Sequence, residues 1–190
     1  FIDDDGQARR NIALVGLEFY AYRKDPEHED FDGADGGGVR FVAEGSGGVL
    51  IEDCRFWYSE IVLQNGDDFE LRHSVIYRAY RTESCSEGNN NGNSERRASG
   101  IFAGRVEGLL IEDNVFDQNG WNPDVPSACA TIYNHNLYIS GCNDVTIQRN
   151  LVLRSSSIGM KMASNASDAS NEVRILDNVI ADGEVGISIG

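Results

Sequence analysis

One template recurs six times along this chain, and it restricts the folds open to it more than any other feature. It reads apolar, any, apolar, two residues, a turn residue, any, apolar. The clearest copies are VTIQRNLV at Val145–Val152, VRILDNVI at Val173–Ile180, LLIEDNVF at Leu109–Phe116 and VLIEDCRF at Val49–Phe56. FELRHSVI at Phe69–Ile76 and IALVGLEF at Ile12–Phe19 are weaker copies. Their central apolar residues are Leu14, Ile51, Leu71, Ile111, Ile147 and Ile175, at spacings of 37, 20, 40, 36 and 28 residues. Apolar and polar residues alternate in the first half of each copy, as in a strand with one buried face. A shorter apolar–any–apolar triplet follows each copy: Val39–Phe41, Ile61–Leu63, Ile101–Ala103, Leu137–Ile139, Met160–Met162 and Ile187–Ile189. Constant strands with variable spacers are the signature of a solenoid whose loops expand on one side.

The expected fold is therefore all-β: a parallel solenoid of about six coils with three short strands per coil, residues 1–190 forming a single domain. The large insertions Arg23–Gly37, Arg81–Ser99 and Gly120–His135 all precede a triplet, so long loops should line one edge. Asn114, Asn150 and Asn178 share the turn position, which Cys54, Ser74 and Leu17 fill in the other copies. Asn tolerates left-handed backbone and its amide bonds neighbouring backbone, so a stacked Asn ladder is expected. The chain ends on a core-type strand without a visible cap. The expectation is that the helix continues past one or both ends, or that an exposed end pairs with another chain.

Composition supports a strand-and-turn protein, with 21 glycines against three prolines. The net charge of −15 argues against a nucleic-acid partner and against an anionic membrane surface, and no apolar stretch is long enough to span a bilayer. Four cysteines contain no CxxC pair, which removes zinc-knuckle and thioredoxin-type motifs. Cys85 and Cys129 fall in successive long loops and could bridge them in an exported chain, whereas Cys54 in the ladder position is expected as a buried thiol.

The VxIxxNxF copies, each followed by a GIxL-like strand, resemble the right-handed parallel β-helix of the pectate-lyase-like superfamily over nearly the whole chain. NHNLYISG at Asn134–Gly141 followed by VTIQRN is similar to segments of bacterial β-helix proteins that process polysaccharides. The resemblance implies an extracellular or periplasmic protein whose partner is an acidic polysaccharide. It implies a lyase or epimerase that removes the proton beside a uronate carboxylate. That chemistry needs a base and a cation or metal to hold the enolate charge. The alternative is a non-catalytic carbohydrate-binding module or a spike- or adhesin-like structural segment.

In the triplet sheet the middle residues should point outward, giving the file Arg40, Val62, Phe102, Tyr138, Lys161 and Ser188 with rungs about 4.8 Å apart. Tyr138 and Lys161 then become neighbours, with His135 at the junction of a long loop and a strand. These three are the candidate catalytic residues: Tyr138 or Lys161 as base, His135 as acid or relay, Lys161 or an arginine as carboxylate clamp. Arg40 in that file, Asn136 one step before it, Arg105 near the groove and Trp121 in a long loop are the candidate substrate contacts. The stretch Arg96-Arg97 is placed to contact carboxylates bidentately or to pair with internal acids. In the acidic loop EHEDFDGADGGG, Asp30, Asp32 and Asp35 are candidate Ca2+ ligands, with a solvated acidic loop as the alternative. The Asn89–Asn93 tract reads as a loop tip, and Asn165-Ala166-Ser167 matches a glycosylation sequon.

Overall fold

The alternating half of each template copy forms the longest strands of a computed structural model, which describes residues 2–3, 7–34, 38–85, 97–163 and 169–190. Asp35, Arg96, the Asn89–Asn93 tract and the sequon at Asn165 lie outside the described residues. A two-residue strand, β1 (Ile2–Asp3), precedes six coils. The first coil holds β2 (Arg10–Val15), β3 (Glu18–Tyr20) and β4 (Val39–Phe41), and the second β5 (Gly47–Glu52), β6 (Arg55–Trp57) and β7 (Ile61–Gln64). The third holds β8 (Asp67–Arg72), β9 (Val75–Tyr77) and β10 (Ser99–Gly104), and the fourth β11 (Glu107–Glu112), β12 (Val115–Asp117) and β13 (His135–Ser140). The fifth holds β14 (Asn143–Gln148), β15 (Leu151–Leu153) and β16 (Ile158–Ala163), and the sixth β17 (Asn171–Leu176), β18 (Val179–Ala181) and β19 (Val185–Ile189).

Equivalent strands of successive coils pair in parallel. They form a seven-stranded triplet sheet (β1-β4-β7-β10-β13-β16-β19), a six-stranded template sheet (β2 to β17) and a six-stranded short sheet (β3 to β18). The chain is a three-sided parallel β-helix of six coils. Its register places Leu14, Ile51, Leu71, Ile111, Ile147 and Ile175 in one column. Phe19, Phe56, Ile76, Phe116, Val152 and Ile180 form another from the short sheet. Phe19 and Phe56 stack with centroids 4.7 Å apart. Side chains such as Ile111, Ile147 and Phe116 are fully buried. Each such burial contributes about 1.5–3 kcal/mol, so stacking of like residues holds the coils together.

The turn between template sheet and short sheet carries the expected amide ladder. Asn114 N–H and Nδ2 both donate to Asn150 Oδ1 at 3.0 Å, and Asn150 donates in the same way to Asn178 Oδ1 at 2.9 Å. Ser74 N–H donates to Asn114 Oδ1 (2.9 Å), and Cys54 N–H to Ser74 Oγ (3.0 Å). Cys54 is a buried free thiol, as expected at this position. The left-handed residue, however, is the one before the ladder: Gly16, Asp53, His73, Asp113, Arg149 and Asp177 all have φ between 48° and 67°. Asn is needed here for its amide, which must point along the helix axis into the core. The strained backbone position faces solvent and accepts Asp, His or Arg.

Connections from the short sheet to the triplet sheet span residues 21–38, 78–98 and 118–134 in the first, third and fourth coils, and only 58–60, 154–157 and 182–184 in the others. Long loops therefore rise along one edge of the triplet sheet. They are joined to one another. A disulfide links Cys85 to Cys129. Arg78 pairs with Asp124 at 2.9 Å, and the buried Lys24 ammonium donates to the Tyr80 carbonyl. Tyr58, Tyr80, Val125 and Ala128 form a small apolar cluster beneath them.

Candidate functional site

The triplet sheet presents its middle residues outward in the expected file: Arg40 pairs in register with Val62, Val62 with Phe102, Phe102 with Tyr138, Tyr138 with Lys161 and Lys161 with Ser188. With the loop edge as a wall, this face forms a groove of about 560 Å³ lined by Arg40, Glu60, Arg81, Arg97, Phe102 and Tyr138 among others. Phe102 and Tyr138 form an aromatic floor, their ring centroids 5.3 Å apart. Arg81 and Arg97 come from the 78–98 loop, and the Arg97 guanidinium lies 4.9 Å from the Tyr133 ring. Arg97 Nε is buried without a hydrogen-bond partner. Among the described residues Glu60 is the one carboxylate lining the groove, and its Oε1 stands 2.7 Å from Arg81 Nη2 and 3.6 Å from Arg40 Nη1. Among the described residues, three guanidinium groups against one carboxylate make the lining locally positive on a chain of net charge −15.

His135 opens β13 and is only 3% exposed, its ring set edge-on to Tyr138 at 5.4 Å. Its Nδ1 is buried without a hydrogen-bond partner. Burial, then the positive charge of Lys161 and Arg97, pushes its pKa down to about 4 against a backbone hydrogen bond with Ile158. The imidazole is therefore neutral near pH 7. His135, Tyr138 and Lys161 are neighbours at one end of the groove. Lys161 lies one rung beyond its lining, where Nζ donates to Ser188 Oγ at 3.1 Å and to the Gly190 carbonyl.

The remaining candidates are placed differently. Asn136 points into the core rather than along the outward face. Its Oδ1 accepts from Asn119 N–H (3.1 Å) and Nδ2 (2.8 Å), while its own Nδ2 donates to Leu153 O at 2.9 Å. It is fully buried in this second amide ladder. Trp121 is half-buried outside the groove, its indole N–H donating to Arg154 O at 2.9 Å. Arg105 is exposed in the turn after β10, in a small depression beside Phe102 and Ser140 that adjoins the groove. Asp32 is paired with Arg23, and its Oδ1 accepts the Ala34 N–H at 2.8 Å. Asp30 lies 3.9 Å from His28 Nδ1. Among the described residues no group of three His, Cys, Asp or Glu is arranged to hold a metal ion.

Two groove residues escaped the sequence analysis as site residues, Arg81 and Glu60. The available signal was position: Glu60 immediately precedes a triplet strand, and Arg81 opens a long insertion before the next one. The chain matches no family model, no curated protein and no solved structure.

Proposed function

We propose that this β-helix is an exported carbohydrate-active protein. It binds a uronate-containing polysaccharide along the outer face of the triplet sheet and acts on it as a lyase or epimerase. The observation that carries this reading is the clustering of Arg40, Arg81 and Arg97 over an aromatic floor on an otherwise acidic molecule. Guanidinium groups bind carboxylates bidentately, and flat rings suit the apolar faces of sugars. The Cys85–Cys129 disulfide accords with an oxidising compartment, and the resemblance to the pectate-lyase-like superfamily points the same way.

In this mechanism the arginines hold the carboxylate and stabilise the enolate that forms when the neighbouring C–H proton leaves. Tyr138, on the groove floor, is the group that exchanges the proton with the sugar. Neutral His135 behind it is the acceptor that relays the proton. For elimination the relayed proton returns through Tyr138 to the departing glycosidic oxygen, leaving an unsaturated uronate. For epimerisation a water molecule on the opposite face gives the enolate its proton, and the resulting hydroxide takes the proton held by the Tyr138–His135 pair. One observation favours a second reading, a binding module without turnover: His135 is 3% exposed and reaches no sugar directly.

The test is a panel of polyuronates, with calcium added or chelated, followed by ultraviolet absorbance of unsaturated uronate, by C5 epimer content and by calorimetric binding. Arg97→Ala should weaken binding by about 10- to 100-fold, the worth of a charge-assisted hydrogen bond. Binding without either product selects the second reading. Failure to bind any polyuronate removes both.

A further inference from the structure

Glu60 occupies the place where the groove would hold a ligand's carboxylate. Its Oε1 receives Arg81 from the long loop and Arg40 from β4, so two guanidinium groups converge on one oxygen. The three side chains remain 20–37% exposed, open to exchange with a ligand. The root of Glu60 is fixed: its carbonyl accepts the Val39 N–H at 3.2 Å. A Cβ on Gly38 would stand 2.1 Å from that carbonyl oxygen, so only glycine allows the approach. The carboxylate itself hangs on an unbranched stem and can swing away from a fixed anchor.

We infer that Arg40 and Arg81 form a carboxylate subsite and that Glu60 is its internal competitor, a specificity-determining residue that a ligand must displace. The inference rests on the acidic-polysaccharide reading of the groove. An anion entering beside Glu60 meets like-charge repulsion at short range, and an anion replacing it must match both guanidinium contacts. Small single anions are thereby rejected. A polymer offsets the displacement with contacts along several rungs, including Arg97 and the aromatic floor.

The experiment compares the wild-type chain with Glu60→Gln, which keeps the side chain's shape and removes its charge. Each protein is titrated calorimetrically with a uronate trisaccharide and, separately, with inorganic sulfate. Glu60→Gln is expected to bind both about tenfold more tightly. Adding Arg81→Gln should erase the gain, and Glu107→Gln, which removes one charge elsewhere, should not reproduce it. Equal or weaker sulfate binding by Glu60→Gln overturns the inference, whatever the wild type does with uronates. A gain that survives Arg81→Gln, or that Glu107→Gln matches, overturns it too. Tighter sulfate binding without any uronate binding leaves the internal competitor standing and removes the polysaccharide reading.

Discussion

The outer faces of the triplet sheet and the template sheet rest on the same stack of coils yet treat arginine in opposite ways. On the template sheet, carboxylates surround each cation. Arg72 lies 3.5–3.9 Å from Glu52, Glu70 and Glu112, and Arg149 lies 2.7 Å from Glu112 and 2.8 Å from Asp113. Gln148 adds a further hydrogen bond to Glu112 at 2.7 Å. On the triplet sheet Arg40 and Arg81 share Glu60, and Arg97 lines the same groove. Parallel in-register stacking permits both arrangements, because it brings side chains from sequence-distant coils within one rung of each other. The closed charge network covers its sheet, whereas the groove gathers guanidinium groups beside an aromatic floor. The charge of the described residues is thus unevenly distributed, and the exception lies beneath the edge that carries the long loops.

That loop wall is where the contrast breaks most severely. The Cys85–Cys129 bridge spans 44 residues and ties the loop carrying Arg81 to the loop of the next coil. Chain entropy assigns such a closure about 4 kcal/mol. Replacing both cysteines with serine should lower the urea unfolding free energy by that order and weaken polyuronate binding. The template-sheet network, far from the bridge, should be unaffected. Thiol titration checks the premise: two cysteines, Cys54 and Cys142, should react in denaturant without reductant, and four with it.

A second contrast is in pH. The folded-state pKa of His135 is near 4, below the 6.5 of a free imidazole, so as pH falls the unfolded chain takes up this proton first. Its contribution is complete above about pH 6.5 and fades down to pH 4, a loss of about 3 kcal/mol. The Asp113 carboxyl on the template sheet, held low by its hydrogen bond from Arg149, costs stability only below the usual carboxylate range near 3.8. Urea midpoints between pH 7 and 4 should therefore slope in the wild type and flatten in His135→Leu. A slope that persists in the variant would show that His135 is not the group responsible.

How far these regions were legible in the sequence follows from the period of each. The columns through Ile111, Ile147 and Ile175 were readable because alternation and turn residues fix register together. The ladder amides were readable too, but not the left-handed residue before them, since Asp, His and Arg carry no common turn signal. The outward file from Arg40 to Ser188 followed from alternation within the triplets. Asn136, one step before that file, sits instead in a buried amide ladder with Asn119, a pairing between a strand and a loop that alternation within the triplets does not specify. Arg81 and Glu60 belong to connections, where no period relates one coil to the next, and their meeting depends on how the long loop folds back.

The smallest expected effect separates the two faces most cleanly. Arg149 and Arg97 carry the same charge on the same scaffold. Arg149, however, makes hydrogen bonds with Asp113 at both Nε (2.9 Å) and Nη2 (2.8 Å), while Arg97 Nε has no partner. Arg149→Ala should slightly lower the thermal midpoint, chiefly at low salt, because exposed pairs are screened. Polyuronate affinity should stay within about twofold of wild type, since a charge several rung spacings away lies near or beyond a Debye length. The measurement is paired: thermal melts at low and high salt, with calorimetric titration of the same samples. If Arg149→Ala weakens binding as much as Arg97→Ala does, anion binding responds to the charge of the whole molecule. The groove would then hold no arginine surplus of its own, and the distinction between the two faces would be lost.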